Sequence, residues 1–424
     1  MVAYGVVYGI ADALEARGDE IVDVALRETG LTEARLRGEL ARTTGQLRLL
    51  GDFVTEGRHL PHRASPGAAP GGGDIVTAAL PVGKVAVFAA SNFPLAFGVA
   101  GGDTASALAA GCPIVVKAHP AQPETSRLIA SIVESVVGRE DFELVEGADP
   151  QVSTDLVRRP DIRAVGFTGS LRAGRALMEA AASRPDPIPV YAEMGSLNPV
   201  FVLPGALSAG AHIDALAAAV TGSAGQLCTK PGLVVVPDTQ DGETFAEALA
   251  EAVAAAPIEQ PMLTPGMATT HGAWLDEAVA IPGTTLYVAD GGQVPAFAVR
   301  VSAAALTDEL LVEHFGPAVV IVTGSFDDVL PHLEGSLTAT LLGSPSDTEE
   351  ARALLPRLAG LAGRVIWNGV PTGVAVCDAM QHGGPWPATS APWSTSVGTA
   401  AIQRFLRPVA LQGFPSELSA TLTG

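Results

Sequence analysis

The stretch from Lys84 to Lys117, KVAVFAASNFPLAFGVAGGDTASALAAGCPIVVK, carries the pattern that decides the fold. Residues 84–89 form a short apolar run typical of a buried strand, and Pro94 stands where a helix can begin. We predict a helix of small residues over 95–110, ended by Gly111, and a second strand over 113–117. A strand, a helix and a strand in this order predict a βαβ unit with parallel strands.

The same alternation of patterns continues on both sides of this unit. Amphipathic helices are predicted at 9–29 and 33–54, and a loop rich in Gly, Pro, Ala and Ser at 61–74. Further strands are predicted at 162–167, 188–192, 233–236, 318–322, 339–342 and 364–367, with helices at 124–137, 171–182, 215–223 and 245–255. This alternation favours parallel, doubly wound sheets. The 424 residues fit two α/β domains, with a boundary near residue 204.

The composition excludes several classes of protein. Lys and Arg total 25 against 45 Asp and Glu, and the net charge of −20 argues against nucleic acid and anionic membranes as partners. The 18 residues 85–102 carry no charge, but internal Pro and Gly residues favour a strand, turn and helix over a membrane span. The three cysteines show neither a CxxC pair nor zinc-like spacing to histidine, so we predict no metal site. Sparse cysteine and the lack of a signal-peptide pattern predict a cytoplasmic protein.

Two segments could carry nucleophilic and acid–base chemistry. Cys228 follows a glycine turn in GQLCT, where a thiolate could face a cleft. Considered alone, such a cysteine is more often a buried structural residue. Glu193, in EMGSLNP, follows a predicted strand and suits a general base, although a solvated loop glutamate is the ordinary alternative.

Two further segments place polar groups at the carboxyl ends of predicted strands. Asn92, in SNFP, could donate a hydrogen bond to a developing oxyanion, or could act as a helix N-cap. Gly169 and Ser170, in GFTGS, put backbone N–H groups at a helix start, which suits a phosphate but is equally typical of a plain turn. Open α/β sheets bind ligands at this edge, so the four segments together indicate one active site.

With these motifs the chain resembles the aldehyde dehydrogenase superfamily from about residue 9 to about residue 415. The resemblance rests on SNFPLAFGVAGGDTASALAAGCPIVVKAHP, GFTGS, EMGSLNP, GQLCTKPG, EHFGP, NGVPTGV and HGGPWPATS. The forms KAHP, EMGSLNP and HGGPWPATS are most similar to the α-ketoglutaric semialdehyde (2,5-dioxovalerate) dehydrogenase branch. That branch resembles bacterial fatty aldehyde dehydrogenases that prefer NADP.

The resemblance implies a role for each candidate residue. Cys228 attacks the aldehyde carbon, Asn92 and the Cys228 N–H hold the oxyanion, and Glu193 activates the water that hydrolyses the thioester. Glu313 binds the nicotinamide ribose, Phe315 packs beside it, and Lys117 holds the adenosine ribose. The full set implied for the cofactor is Lys117, His119, Gly169, Ser170, Glu313 and Phe315.

The resemblance also bears on the choice of cofactor. NAD-preferring relatives usually carry a glutamate three residues after the equivalent of Lys117, and here that position is Pro120. Without this carboxylate nothing repels a 2′-phosphate, so NADP is expected and NAD stays possible. Arg158 or Arg159 is a candidate partner for that phosphate, with solvation at the surface as the alternative.

The family's organisation implies three structural parts. Residues 1–60 and 82–203 are expected to form the dinucleotide-binding domain, 204–397 the catalytic domain, and 61–81 with 398–424 a β arm for a homodimer or homotetramer. The chain opens inside what resembles the family's first long helix and stops early, so a fragment or a truncated relative is also expected. His314 replaces the family's usual Val or Ile and is expected to be exposed, while Cys112 and Cys377 are expected to be structural.

Several functions stay open on the sequence alone. The first is hydrolytic oxidation of α-ketoglutaric semialdehyde, and medium or long aliphatic aldehydes are the alternative substrates. The second is an acylating dehydrogenase that passes the acyl group to coenzyme A, although such relatives usually lack the glutamate found here as Glu193. The third is a non-catalytic protein on the same fold.

Overall fold

The computed structural model describes residues 5–61, 63–208 and 210–423. Its strands are β1 (Ala64–Ser65), β2 (Ile75–Pro81), β3 (Lys84–Phe88), β4 (Ile114–Lys117), β5 (Phe142–Val145), β6 (Ile162–Thr168), β7 (Val190–Glu193), β8 (Val200–Val202), β9 (Leu233–Val236), β10 (Thr285–Val288), β11 (Phe297–Ser302), β12 (Ala318–Thr323), β13 (Ser336–Leu342), β14 (Ala362–Trp367) and β15 (Leu406–Gln412). Its helices are α1 (Val6–Ala16), α2 (Gly18–Thr29), α3 (Glu33–Thr55), α4 (Gly102–Ala109), α5 (Pro123–Val137), α6 (Pro150–Arg158), α7 (Leu171–Ala182), α8 (Gly210–Thr221), α9 (Gln240–Ala254), α10 (Pro265–Ala280), α11 (Phe326–Val329), α12 (Thr348–Leu361) and α13 (Ser416–Thr423).

Two sheets with helices on both faces confirm the predicted α/β class. The first sheet has the order β5-β4-β3-β6-β7, and all its neighbouring strands are parallel. The second has the order β10-β11-β12-β9-β8-β13-β14, with β10 antiparallel to β11 and the remaining pairs parallel. Strands buried on both faces require continuous apolar runs, and LVVV of β9 is fully buried.

A third, antiparallel sheet joins β1, β2 and β15. It pairs residues 75–81 with residues 406–412, two segments that are far apart in the chain. The chain passes from the first large sheet to the second between Glu193 and Val200, shortly before residue 204. Among the described residues, no helix has both the length and the apolar character needed to cross a membrane.

The helices predicted over 215–223 and 245–255 each begin five residues earlier, at Gly210 and Gln240, and two others differ in their course. The helix predicted over 95–110 begins only at Gly102, because the preceding backbone folds back on itself. There the Gly102 N–H donates to the Ala96 carbonyl at 2.9 Å, and a Cβ at Gly98 would lie 1.9 Å from the Pro94 carbonyl oxygen. The helix predicted over 9–29 is broken at Arg17, whose φ of −113° is not helical, into α1 and α2.

Candidate active site

Glu193 ends β7, and a later segment of the chain returns to pair with it. Thr389 forms an antiparallel bridge with Glu193, and the Met194 N–H donates to the Ala388 carbonyl at 2.8 Å. The segment 380–396 contains no helix and no strand, so its course is set largely by these contacts. The pairing places His382 against the end of the first sheet.

Cys228, Glu193 and His382 form a compact cluster. The His382 Nε2 lies 3.1 Å from Glu193 Oε1 and 3.8 Å from Cys228 Sγ. His382 and Glu193 are only 1% and 4% exposed, whereas Cys228 is half-buried. The Ser396 hydroxyl donates to the other oxygen of Glu193 and fixes the carboxylate. A thiol, an imidazole and a carboxylate are thus held together at the end of β7.

The loop that carries Cys228 is held by its neighbours. Asn198 donates its side-chain amide to the carbonyls of Cys228 and Lys230, at 2.8 and 3.0 Å. Gly225 has a φ of +66°, and a Cβ there would lie 2.1 Å from the carbonyl oxygen of Gly316. Glycine is therefore required both for the left-handed backbone and for the close approach of the two loops.

Asn92 lies beside the same loop. Its side-chain amide donates to the carbonyl of Gln226 at 3.1 Å, and its own carbonyl accepts from the Arg35 guanidinium. The amide therefore contacts the chain two residues before Cys228 and is already used as a donor. The structure does not place it as the N-cap of a helix, since regular helix starts only at Gly102.

Burial and neighbouring charges set the pKa values of the cluster. Burial raises the pKa of Cys228 well above its ordinary value, and the charges of Glu193 and Glu313 raise it further, against an opposing effect of Arg42. Burial also raises the pKa of Glu193, but the opposing effects of His382, Ser396 and Arg404 outweigh it and the net pKa is lowered. Glu193 is therefore ionised near neutral pH, and the thiol needs a proton acceptor before it can react.

Arg42 is a charged residue of this site that the sequence analysis missed. It lies on α3, half-buried, with its Cζ 5.8 Å from the ring centre of Phe93 and 5.4 Å from that of Phe97. Burial lowers its pKa, while the charges of Cys228, Glu39 and Glu193 raise it. Within the described residues it makes no hydrogen bond or ion pair, and its buried Nε is unpartnered. Arg42 is therefore a cation near the thiol that is free to meet an anion.

The candidate cofactor residues Lys117 and His119 lie at the carboxyl end of β4. Lys117 is 7% exposed and its Nζ donates to the Ala118 carbonyl at 2.6 Å. The His119 Nδ1 accepts from the Ala121 N–H at 3.2 Å, and burial, with the charge of Lys117, lowers the pKa of His119 to about 4. Pro120 is exposed next to them, so no carboxylate occupies this position.

Gly169 and Ser170 connect β6 to α7. Ser170 is the N-cap of α7, and its Oγ accepts from the Ala173 N–H at 3.3 Å. The Gly169 N–H donates to the Glu193 carbonyl at 3.0 Å, so this amide joins β6 to β7 and is not free. A Cβ at Gly169 would lie 2.6 Å from the Phe167 ring, which explains the glycine. The turn leads into the N-terminus of α7, the end of a helix at which anions are generally bound.

Arg158 and Arg159 are at the wrong edge of the sheet to meet a 2′-phosphate. They precede β6, whereas Lys117 is the last residue of β4 and pairs in register with the end of β3. Arg159 is also engaged by Glu143 and Asp161 at 2.7 and 2.9 Å. Of the two alternatives offered for these arginines, their contacts favour a solvated surface position, because they precede β6 whereas Lys117 ends the parallel β4.

Glu313 and Phe315 lie in the loop before β12. Glu313 accepts a hydrogen bond from the Ser196 N–H, and burial raises its pKa to about 7. A Cβ at Gly195 would lie 2.6 Å from Glu313 Oε2, so glycine makes room for this carboxylate next to Glu193. Lys230 is buried nearby, and burial lowers its pKa to about 8. Phe315 is half-buried.

The remaining predictions concern single residues. His314 is 6% exposed, so the expectation of an exposed histidine is wrong. It stacks on Trp274, with ring centres 4.3 Å apart, and its Nε2 lies 2.8 Å from the Nδ1 of His271. Cys112 is buried in the core, as expected of a structural cysteine, whereas Cys377 is exposed, which leaves it no packing role.

Replacing His314 with valine is expected to flatten the dependence of stability on pH. Burial, with the charges of Lys230 and His271, lowers the pKa of His314 to about 2. The unfolded chain binds the proton near pH 6.5 and the folded chain does not, so stability falls as the pH drops below about 6.5. The slope from this one group is about 1.4 kcal/mol per pH unit.

Urea unfolding between pH 7 and pH 5 measures this slope for the wild type and for His314→Val. The absolute stability of the variant is not the readout, because the valine also loses the stacking on Trp274. His332→Ala, at an exposed histidine, is the matched control and should keep the wild-type slope. An unchanged slope in His314→Val would mean that this imidazole is not kept neutral by the fold.

His382 lies in HGGPWPATS, and no role was predicted for it from the sequence. A local signal for it was present, since His382 precedes two glycines in a segment without helix or strand. Its meaning depends on the return of that segment to β7, which is a contact between distant parts of the chain. Spacing along the sequence could not reveal it.

Comparisons with known proteins agree with this architecture. The Aldehyde dehydrogenase family profile matches residues 4–281. Alpha-ketoglutaric semialdehyde dehydrogenase 2 of Azospirillum brasilense is 46% identical, covering 96% of this chain and 82% of its own length. Alpha-ketoglutaric semialdehyde dehydrogenase of Acinetobacter baylyi is 40% identical, covering 95% and 80%.

A solved structure shows the same fold at low identity. The glyceraldehyde-3-phosphate dehydrogenase GapN of Methanocaldococcus jannaschii, complexed with NADP, has a TM-score of 0.82 at 20% identity and covers 96% of this chain and 88% of its own. The family profile spans well over half of the chain, and the two relatives span nearly all of it. The chain therefore belongs to the aldehyde dehydrogenase family, whose members are oxidoreductases acting on aldehydes.

Proposed function

We propose that this protein oxidises α-ketoglutaric semialdehyde to α-ketoglutarate with NADP, through a thioester on Cys228. The cluster of Cys228, Glu193 and His382 carries the proposal, because it supplies a nucleophile and two groups that move protons. The two relatives named for this substrate support the choice of aldehyde.

The first half-reaction attaches the aldehyde to Cys228. His382 accepts the thiol proton across the 3.8 Å contact, and the ionised Glu193 at 3.1 Å stabilises the resulting imidazolium. The thiolate then attacks the aldehyde carbon, and the Asn92 amide and the Cys228 N–H hold the oxyanion. For this the Asn92 amide must leave the Gln226 carbonyl, to which it now donates. The oxyanion then collapses to the carbonyl of the thioester as a hydride leaves the carbon, and a bound nicotinamide cofactor would supply the acceptor for that hydride.

The second half-reaction releases the acid. A water between the thioester and the Glu193–His382 pair loses its proton to this pair and attacks the carbonyl carbon. The C–S bond breaks, and the Cys228 thiolate leaves. Cys228 is half-buried and so not fully closed off from solvent, while the buried Glu193 and His382 hold their orientation.

The residues of the first sheet fit a dinucleotide. Lys117, with its buried Nζ, would hold the adenosine ribose with His119, and the start of α7 at Gly169 and Ser170 would receive the pyrophosphate. Glu313, with Phe315 beside it, would bind the nicotinamide ribose. The exposed Pro120 supports NADP, since a glutamate there would repel the 2′-phosphate.

Arg42 supports a substrate that carries a carboxylate. Two other arginines near the cleft already donate to carbonyl groups, Arg35 to Asn92 and Arg364 to Gly373 and Pro371. Arg42 has no such partner among the described residues and stacks on two aromatic rings, which orients its planar guanidinium. Such a group binds a carboxylate in two parallel hydrogen bonds, and an aliphatic aldehyde would leave it unpaired.

The test compares α-ketoglutaric semialdehyde with hexanal, using NADP and NAD, by the absorbance of the reduced cofactor. In Arg42→Gln we expect kcat/KM for the semialdehyde to fall about 10- to 100-fold, the value of a hydrogen bond between charged groups. The fall for hexanal should be much smaller. Arg48→Gln is the control, because Arg48 lies on the same helix but pairs with Asp12 and Glu15 at the surface.

The outcome separates the candidate substrates. A wild type that prefers hexanal, or an Arg42→Gln variant that loses both activities equally, would reject the dicarboxylic substrate in favour of an aliphatic one. Absence of turnover with either aldehyde, from protein with a cooperative thermal transition, would reject the enzymatic function.

The proposed activity also implies a role for each part of the chain. We propose that 1–60 and 82–203 bind the dinucleotide, 204–397 carry the nucleophile, and 61–81 with 398–424 form the contact of a homodimer or homotetramer. The antiparallel sheet of β2 and β15 supports the last assignment, since it joins these two segments.

A further inference from the structure

The catalytic cluster contains three metal-binding atoms of different kinds. Cys228 Sγ, His382 Nε2 and Glu193 Oε1 all lie within 4.8 Å of one another. Although Nε2 is 3.1 Å from Oε1, the two atoms are not aligned as a hydrogen bond, and Oε1 is a buried oxygen without a hydrogen-bond partner among the described residues. A cation placed between these atoms would therefore meet a buried carboxylate oxygen that accepts no aligned hydrogen bond.

The spacing of the three atoms suits zinc. Zinc binds sulfur at about 2.3 Å and nitrogen or oxygen at about 2.0–2.2 Å, so its ligand atoms in a tetrahedral site are about 3.3–3.6 Å apart. The observed separations are 3.1 Å for nitrogen to oxygen and 3.8 Å for sulfur to nitrogen. The third separation, from sulfur to oxygen, is within 4.8 Å. Cys228 is half-buried, so its thiol is not fully closed off from solvent.

We propose that Cys228, His382 and Glu193 bind a zinc ion, which inhibits the enzyme reversibly by occupying the nucleophile and its two proton-transferring partners. Binding releases the thiol proton to solvent, and the thiolate and carboxylate balance the two charges of the ion. The other ring nitrogen, His382 Nδ1, has no partner among the described residues. Zinc ligands normally gain affinity from such a partner, so this site is expected to bind more weakly than a structural zinc site.

The test reads binding without any turnover, so its failure is distinct from a failure of the proposed function. The protein is reduced with a phosphine, freed of metal with a chelator and titrated with Co²⁺. The expected result is a thiolate-to-cobalt charge-transfer band in the near ultraviolet, with visible bands of four-coordinate cobalt. Zn²⁺ should displace the cobalt with a stoichiometry of one ion per chain, and calorimetry then gives the zinc affinity.

Variants identify the ligands. Cys228→Ser should abolish the charge-transfer band. His382→Ala should weaken zinc binding by at least about 100-fold, because removing a group that only hydrogen-bonds a zinc ligand already costs up to about 100-fold in affinity. His382→Gln and Glu193→Gln provide second variants of similar size, each checked for an unchanged thermal midpoint. Cys377→Ser and His332→Ala, which remove an exposed thiol and an exposed imidazole, should leave binding unchanged.

Several results would overturn the proposal. One is an absence of the thiolate band at saturating Co²⁺, and another is a band that disappears in Cys377→Ser and persists in Cys228→Ser. Zinc affinity unchanged by both His382→Gln and Glu193→Gln would reduce the site to a single thiol. Where turnover is present, inhibition by Zn²⁺ should be reversed by a chelator, and inhibition that no chelator reverses would also reject the site.

Discussion

Cys228→Ala is expected to lower kcat for aldehyde oxidation by at least about 10⁴-fold, since no other side chain can form the covalent intermediate. The other two cysteines cannot substitute for it. Cys112 is buried in the core, where burial raises its pKa to about 11, and Cys377 is exposed outside the cluster. The half-buried Cys228 is small and not part of a hydrophobic core cluster, so the variant should keep its thermal midpoint.

The measurement is the steady-state rate of cofactor reduction, together with mass spectrometry of protein quenched during turnover. The wild type should carry an acyl group on Cys228, and the variant none. Cys377→Ala is the matched control and should keep both the rate and the acyl group. Wild-type turnover in Cys228→Ala would show that the aldehyde is oxidised without a thioester.

Glu193→Gln is expected to separate the two half-reactions. Loss of a general base typically costs about 10²- to 10⁴-fold in rate, and here the cost should fall on hydrolysis of the thioester. Transfer of the hydride needs the thiolate and the oxyanion donors, and His382 at 3.8 Å from Sγ still accepts the thiol proton. The variant should therefore reduce about one equivalent of cofactor in a burst and then almost stop.

Rapid mixing measures the burst, and mass spectrometry of the quenched protein should find the acyl-enzyme accumulated. Glutamine keeps the size of the side chain and can still accept from Ser396, so the fold is preserved. Glu309→Gln is the control, at an exposed glutamate in the loop before β12. A variant that loses the burst together with steady turnover would assign Glu193 to activation of the thiol, acting through His382.

The fold was predictable because its central strands are short apolar runs separated by helix patterns. Strands buried on both faces leave no choice of residue type, and β4, β9 and β12 were predicted to within one residue of the structure at either end. The turn over 91–101 was missed because its compact form depends on Gly98 and Gly101 meeting their own backbone. Periodicity contains no information on such contacts.

The active site was predictable in part. Cys228, Glu193 and Asn92 follow strand ends or glycine turns, and the structure gathers them around one loop. His382 comes from segment 380–396 and Arg42 from α3, both far in sequence from Cys228. The residues around them show no motif that predicts a position in the active site. The burial of His314 likewise depends on α10, whose Trp274 covers it. A role that depends on contacts between distant segments cannot be predicted from a single sequence.

The return of segment 380–396 to β7 has a consequence for how this catalyst can change over generations. The strands of both sheets belong to the rigid interior, where nearly every substitution disturbs packing. His382 is carried instead by a segment without helix or strand, which joins the end of β7 through Thr389 and Ala388. Because this segment adds no strand to either large sheet, an exchange of His382 leaves the strand pairing of both sheets intact. The proposed proton acceptor of the thiol is therefore more accessible to mutation than the sheets that position the thiol.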